Sequence, residues 1–359
     1  MAYEIDFLPV GEGEKSGDAI ALRFGKVFEG PVRDQRVVVI DGGFQASGEA
    51  LVKHVKSYYQ TDTVDLVIST HPDIDHISGL FPILENLTVK NLWIHQPWKH
   101  SAEFAKAYAE GRVSSLAAKE KLRKSLDDAV ALDKLARDKG IAVTEPFLGT
   151  SFGNGAITVI GPSVEFYTSL VPDYRCFETA LPASVLQKAA SGIREAIKTI
   201  AESWGIETLS DECETSPENN SSVITLFRSD GEAALLTADA GDIALHQALD
   251  VLDAAQFNRD SVKFVQVPHH GSHHNVGPAL LDRLIGPRRS DQVVTHIAFV
   301  SAAKDAPKHP AKKVANAFRR RGAPVHATQG QCTYHRKDVP LRQGWGSSVA
   351  LPFYSEVEE

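Results

Sequence analysis

The feature that most constrains this chain is an order of short apolar runs that occurs twice. Residues 3–8 (YEIDFL), 19–24 (AIALRF) and 36–40 (RVVVI) read as strands, with the glycine-bearing breaks GEGEKSG and DGG between or after them. Residues 47–60 place Leu51, Val52, Val55 and Tyr59 at helical spacing behind a capping Ser47. VDLVIST (64–70) then reads as a buried strand that runs into HPDIDHISGL. ISGLFPILEN reads as the following helix and VKNLWIH (89–95) as the next strand. The same grammar returns in ITVIG (157–161), VITLF (223–227), AALLT (233–237), a helix near 243–254, VKFVQV (262–267), a helix near 278–285 and HIAFV (296–300). A helix from about 310 to 321 and a short PVHAT strand close the chain. Two halves of mixed β and α elements predict an α/β protein built as a four-layer αββα sandwich, one sheet per half, rather than a single doubly wound sheet.

Two segments interrupt this order. Residues 100–140 are rich in Ala, Lys, Glu, Leu and Arg, lack Pro, and read as one or two solvent-facing helices. Residues 165–220 hold the helical stretch ASVLQKAASGIREAIKTIAESW and end in the acidic, turn-rich DECETSPENN. Both are expected to be insertions on a single domain spanning 1–359, where they could form a lid, a substrate platform, or a surface for a protein partner or self-association.

Composition narrows the class. With 43% hydrophobic and 23% charged residues the chain is neither disordered nor collagen-like. No run approaches 18 apolar residues, and MAYEIDFLPV lacks a basic region ahead of an apolar one. No membrane span or secretory signal is therefore expected, and the expected compartment is the cytoplasm. Cys176, Cys213 and Cys332 are odd in number, widely spaced and without a C-x-x-C pair, which predicts free thiols. A net charge of −8 argues against indiscriminate coating of nucleic acid. Locally, however, Lys304, Lys308, Lys312, Lys313, Arg319, Arg320 and Arg321 face the single acid Asp305, which is either a solvated helix face or a phosphate-binding surface.

The chemistry concentrates at predicted strand ends, where α/β proteins place ligands. His71, Asp73, Asp75 and His76 lie within six residues. Imidazole and carboxylate without thiolate suit zinc, manganese or iron; the structural alternative is a polar loop with Asp75 as the next helix's N-cap. Asp239, directly after an apolar strand, could bridge two cations, or it could cap the helix from 243 together with Asp242. His269 and His270 end another strand, with Gly271 permitting a tight turn. Adjacent histidines project differently, so one is expected to ligate and the other to orient or contact substrate. A surface His-rich turn is the alternative.

THPDIDHISGL resembles the metallo-β-lactamase-fold signature H-x-H-x-D-H followed by Gly, with Asp73 where the second histidine stands. IDGG (40–43), NNSSVITLFRSDGEAALLTAD and VPHHGS occur in the matching order. The pattern is most similar to the soluble hydrolase domain of the ComEC DNA-uptake family, which adds an S…HP segment and a terminal Thr and Gly; here these are Ser301, His309 with Pro310, and Thr328 with Gly330. The resemblance implies metal ligands at His71, Asp73, Asp75, His76, Asp239 and one of His269 and His270, with Asp41 bracing the ligand loop. Asn219 or Asn220 lies nearest to where many members carry a further histidine. Asp73 in place of His adds charge and hardness, favouring manganese or iron relative to zinc.

The resemblance further implies two divalent ions and a metal-activated water, which Asp75 or Asp239 would orient or deprotonate. His309, or the non-ligating member of the histidine pair, would protonate the leaving oxygen. The expected function is hydrolysis of a phosphate-containing substrate, a phosphodiester with DNA or RNA as candidates. The alternatives are a small-molecule ester or nucleotide hydrolase, a di-iron redox protein, for which no flavin-binding segment is evident, and a non-catalytic partner-binding protein of the same fold.

Overall fold

The structure is a computed structural model that describes residues 1–11, 13–26, 34–100, 117–174 and 199–359. Two seven-stranded sheets carry the chain. The first runs in the order Thr333–Lys337, Ala2–Phe7, Ala19–Gly25, Gln35–Gly42, Leu66–Ile68, Asn91–Trp93, Ala142–Thr144. Pairing is antiparallel up to Gln35–Gly42 and parallel beyond it. The second runs Val325–Ala327, Ile297–Val300, Val262–Gln266, Glu232–Leu236, Ile224–Ser229, Ile157–Gly161, Ser151–Phe152, parallel as far as Glu232–Leu236 and antiparallel beyond it.

Strand alternation explains the layering, because successive side chains point to opposite faces. In Gln35–Gly42, Val38 and Ile40 face a core shared with Tyr3, Phe7, Phe227, Phe264 and Phe299, while Val37 and Val39 face the helices outside. In Ile224–Ser229, Phe227 joins that central core, and Ile224 and Leu226 turn towards the helices Asp242–Ala254, Pro278–Ile285 and Lys312–Arg320. There are thus three apolar layers, one between the sheets and one beneath each helical face. The expected αββα sandwich is the architecture observed.

The structure departs from the sequence reading in four places. The helix expected at 47–60 is Gln45–Tyr58; it starts directly after Phe44, so Ser47 is buried within its first turn rather than capping it. The single helix expected at ISGLFPILEN is instead two short helices, Ile74–Ile77 and Leu80–Asn86. Between them Gly79 lies so close to Gly42 that an added Cβ would stand 1.9 Å from the Gly42 carbonyl oxygen. The helix Ala117–Asp138 does not simply face solvent, since Ala129, Leu132 and Ala136 are buried in the outer layer of the first sheet. PVHAT, finally, does not close the fold. Thr333–Lys337 returns to pair with Ala2–Phe7, and Glu356–Glu358 pairs with Thr199–Ala201, a strand within the stretch read as helical. Thr333–Lys337 is polar almost throughout and Glu356–Glu358 is too short to show a period, so neither announced itself. Residues 101–116 of the first expected insertion, and residues 175–198 of the second, which include Cys176 and most of that helical stretch, lie outside the described residues. Cys213 and Cys332 are free thiols. Among the described residues no helix is long and apolar enough to cross a membrane.

Candidate metal centre

The site forms where the carboxyl ends of the parallel strands of both sheets meet. Leu66–Ile68 leads to Thr70 and His71, Glu232–Leu236 to Asp239, and Val262–Gln266 to His269 and His270. Backbone bonds pin these loops to one another: Val223 N donates to Thr70 O at 3.0 Å, His269 N to Ala238 O at 3.0 Å, and Ala311 N to Gly271 O at 3.0 Å. Both His269 and His270 adopt left-handed backbone angles (φ 46° and 56°), which turns the pair back over Asp239. Gly271 allows this turn: its φ is +83°, and an added Cβ would lie 2.5 Å from Pro310 Cβ.

Four imidazoles surround one carboxylate oxygen. Asp239 Oδ2 lies 3.7 Å from His71 Nε2, 3.4 Å from His76 Nε2, 3.6 Å from His269 Nε2 and 3.6 Å from His270 Nε2. In each ring the other nitrogen is already held. His71 Nδ1 meets Thr70 Oγ1 at 3.0 Å, His76 Nδ1 meets Asp41 Oδ2 at 2.8 Å, His269 Nδ1 meets Asn275 Oδ1 at 2.7 Å, and His270 Nδ1 meets Ser301 O at 3.1 Å. A carboxylate, amide or carbonyl oxygen on Nδ1 fixes the Nδ1–H tautomer and leaves Nε2 as the free lone pair, the usual arrangement behind a metal-ligating histidine.

Asp41 is fully committed to this bracing. Its Oδ1 accepts from Thr70 N at 2.8 Å, and its Oδ2 accepts from Thr70 Oγ1 at 2.6 Å as well as from His76. Its proximity to His71 and His76 therefore reflects support of the ligand loop rather than a cation position.

The inward atoms are the unsatisfied ones. Among the described residues, His71 Nε2, His76 Nε2, His270 Nε2, Asp239 Oδ1 and Asp18 Oδ1 are buried without a hydrogen bond of ordinary geometry. Each such group costs about 1–3 kcal/mol when left alone, so these atoms, on residues gathered around His76 and Asp239, fit a site for a divalent cation. The donor atoms of Asp75, His76 and His270 lie within 4.8 Å of one another, and so do those of Asp18, His76 and Asp239.

Protein charges alone already polarise the cluster. Burial drives His71 down to about 4, with His76 adding to the shift. Burial opposes charge on His76 too, but Asp239 and Asp41 outweigh it and hold the imidazole well above its ordinary value. For Asp239 burial is outweighed by His270, His76 and His269, which keep the carboxyl well below the usual range.

The predicted residues separate by position. His270 is 5% exposed, whereas the His269 side chain is 31% exposed and also meets Asn219 Nδ2 at 3.3 Å. Asp73 occupies the N-cap position of Ile74–Ile77 through its backbone, its carbonyl accepting from His76 N and Ile77 N, and lies outside the close donor groups. Asp75 follows in the first turn of that helix and is not its cap. Asp239 is not a cap either, since Gly241 precedes the helix Asp242–Ala254. The His309 ring lies 6.2 Å from that of His269 at an interplanar angle of 28°, its Nδ1 buried and unpartnered. Burial, with His270 and His269, pushes it down to about 4.

The basic run divides in two. Lys313, Arg320 and Arg321 are buried; Arg320 pairs with Glu202 at 3.1 Å, Arg321 pairs with Glu207 at 2.6 Å, and Arg319 donates to Leu351 O. Lys304, Lys308 and Lys312 remain exposed. Sequence reasoning missed Asp18, treating GEGEKSG only as a break; a lone acid between that turn and an apolar strand was the available signal.

Residues 30–168 match the Metallo-beta-lactamase superfamily, whose members are largely metal-dependent hydrolases. No curated protein matches the chain. Among solved structures, a candidate metallo-beta-lactamase from Thermotoga maritima is 12% identical over 67% of this chain and 79% of its own, with a TM-score of 0.33. A metallo-beta-lactamase from Hirschia baltica is 12% identical over 78% of this chain and 95% of its own, with a TM-score of 0.30. With two mixed sheets, helices on both outer faces and His/Asp groups that could bind a metal at the strand ends, this chain has the metallo-beta-lactamase fold, and its residues 30–168 match the superfamily's model.

Proposed function

We propose that the protein is a metal-dependent hydrolase of a phosphodiester, with Asp75, His76, His270 and Asp239 serving one cation position and His71 and Asp239 the other, where Asp73 would have to turn inward from its N-cap position to join them. Two divalent ions, zinc, manganese or iron, would clamp an oxygen of the scissile group and supply an activated water. Asp75 and Asp239 are the carboxylates able to orient that water and take its proton. The more exposed His269, held by Asn275 and Asn219, is better suited to contacting substrate than the buried His270. His309 is neutral on its own; a bound phosphate's negative charge would favour its protonated form and let it serve the leaving oxygen.

The observation that carries the phosphodiester reading is that Lys304, Lys308 and Lys312 stay exposed on the same segment that brings His309 to the site. Motif order like that of the ComEC hydrolase domain supports nucleic acid as the substrate. The second reading is a small ester or nucleotide at the same site; the recess beside the ligand loop, lined by His71, Pro72, His95, Pro97, Ala129 and Tyr167, measures only about 10 Å³, room for a water rather than for such a substrate. Both ring nitrogens of His95 lack partners among the described residues, and its ring stacks on Tyr167 at 4.3 Å.

The test is elemental analysis combined with a metal-supplemented panel of single- and double-stranded DNA, RNA, bis-nitrophenyl phosphate and a simple ester. Bound metal with cleavage of the phosphodiesters is the expected result. Cleavage of the ester alone would select the second reading. No metal uptake and no turnover would discard both.

A further inference from the structure

We propose that Asp18 is a ligand of the cation position at His76 and Asp239, an added carboxylate that biases this position towards a hard, oxygen-preferring ion such as manganese over zinc. The inference rests on the metal-hydrolase reading and adds to it a residue outside its His/Asp motifs.

Asp18 reaches the site from the loop ahead of strand Ala19–Gly25, and three contacts fix that loop. Ser16 Oγ accepts from Ala303 N at 3.0 Å. Gly17 is pressed onto the turn that carries Asp75, so closely that an added Cβ would lie 2.2 Å from the Asp75 carbonyl oxygen. Gln266 then orients the carboxylate. Its side-chain oxygen accepts from Thr237 N at 3.0 Å and Ala238 N at 3.1 Å, which turns its amide nitrogen outward to donate to Asp18 Oδ2 at 2.8 Å.

That leaves Oδ1 for the cluster. Asp18 is 2% exposed, and Oδ1 has no hydrogen bond of ordinary geometry; the Ser301 hydroxyl, which interacts with this carboxylate, has none either. The nearest cationic candidate, His76 Nδ1 at 3.9 Å, is already committed to Asp41. A buried carboxylate held by one amide donor and a hydroxyl of poor geometry is costly to maintain unless something positive completes it. The donor atoms of Asp18, His76 and Asp239 fall within 4.8 Å of one another, close to the span of a single ion with bonds of about 2.0–2.2 Å. A further hard oxygen donor favours manganese over zinc.

The experiment titrates chelator-stripped wild type, Asp18→Asn and Asp18→Ala with Mn²⁺ and, separately, Zn²⁺ by calorimetry, and records melting temperatures with and without Mn²⁺. The variants are expected to lose one Mn²⁺ equivalent or to bind Mn²⁺ about 10–100-fold more weakly. Zn²⁺ binding should fall less. The melting gain from Mn²⁺ should shrink, while the stripped variants melt no lower than stripped wild type, because a buried unpaired charge has been removed. Unchanged Mn²⁺ stoichiometry and affinity in either folded variant would overturn the assignment, as would an equal loss for both metals. A lower melting point of both stripped variants with intact Mn²⁺ binding would make Asp18 a structural acid and overturn it too. If wild type binds neither ion, the metal-hydrolase reading itself fails, an outcome distinct from a failure of Asp18 alone.

Discussion

At the scale of single residues, the orientation of the imidazoles matters more than their number. A loop rich in His and Asp is chemically ambiguous until something selects which ring nitrogen is free. Here Thr70, Asp41, Asn275 and the Ser301 carbonyl make that selection for all four histidines. His71 and His76 were legible as candidates because they share one motif. Asp41 was legible as their brace only through the family resemblance, and which ring nitrogen of His76 it holds was not, because the two lie 35 positions apart and only the fold brings them together. Asp75 gives the direct test of the chemistry. Asp75→Ala is expected to keep the wild-type circular dichroism, to bind less metal, and to lose at least about 100-fold in hydrolysis, the lower end of what a positioned acid or base contributes. Wild-type turnover in a metal-stripped Asp75→Ala sample would remove the mechanism.

At the scale of elements, glycine contacts set where the ligand loop sits. Gly42 follows the bracing Asp41, Gly79 follows His76 by three residues, and Gly48 lies on the helix Gln45–Tyr58. An added Cβ at Gly48 would stand 2.0 Å from the Gly79 carbonyl oxygen, and one at Gly79 would stand 1.9 Å from that of Gly42. Backbone blocks backbone at both places, so no rotamer change can relieve the clash. Gly79→Ala should destabilise the protein by about 3 kcal/mol, at the upper end of overpacking costs, readable as a lower urea midpoint at unchanged slope.

The segment from Lys304 to Arg321 shows how charge in sequence divides in space. Its later part is helix Lys312–Arg320 with the following Arg321, and this half turns Arg320 and Arg321 inward onto Glu202 and Glu207. Only the earlier lysines, with Lys312, are left for a ligand. Lys308→Ala should therefore raise KM for a phosphodiester and lower the slope of log KM against log salt by about one. An unchanged slope would return these lysines to ordinary solvated surface.

At the scale of the whole molecule, the chain's last turns lock the first. Arg342 donates to both Asp6 carboxylate oxygens at 2.7 Å and to Glu4 Oε2 at 2.7 Å, and lies 4.7 Å from the Trp345 ring centroid. Burial would raise the Asp6 carboxyl, but the hydrogen bond and charge of His54, then those of Arg342, outweigh it and bring it from 3.8 to about 2. A carboxylate lowered on folding adds stability that is full above its unfolded value and fades as pH falls from about 4 to about 2. The wild type should thus hold an increment of about 2 kcal/mol from Asp6 at neutral pH and lose it across that window. Arg342→Ala, which leaves two buried acids short of a partner, should cost about 3 kcal/mol at pH 7 and move acid unfolding to higher pH, as followed by fluorescence. An acid midpoint unchanged by the substitution would show that the clamp does not hold the fold.

The sequence by itself determined the central strands of both sheets, the two-sheet architecture and the gathering of His and Asp at strand ends, because apolar runs and strand-end His/Asp motifs are local properties of the chain. Only the tertiary structure decided that Asp18 meets Gln266 across 248 positions, that the Lys/Arg run splits into buried and exposed halves, and that a polar peptide near the C-terminus pairs with the first strand. Those outcomes depend on which surfaces come together when the two sheets close on each other, and no stretch of local sequence encodes that contact by itself.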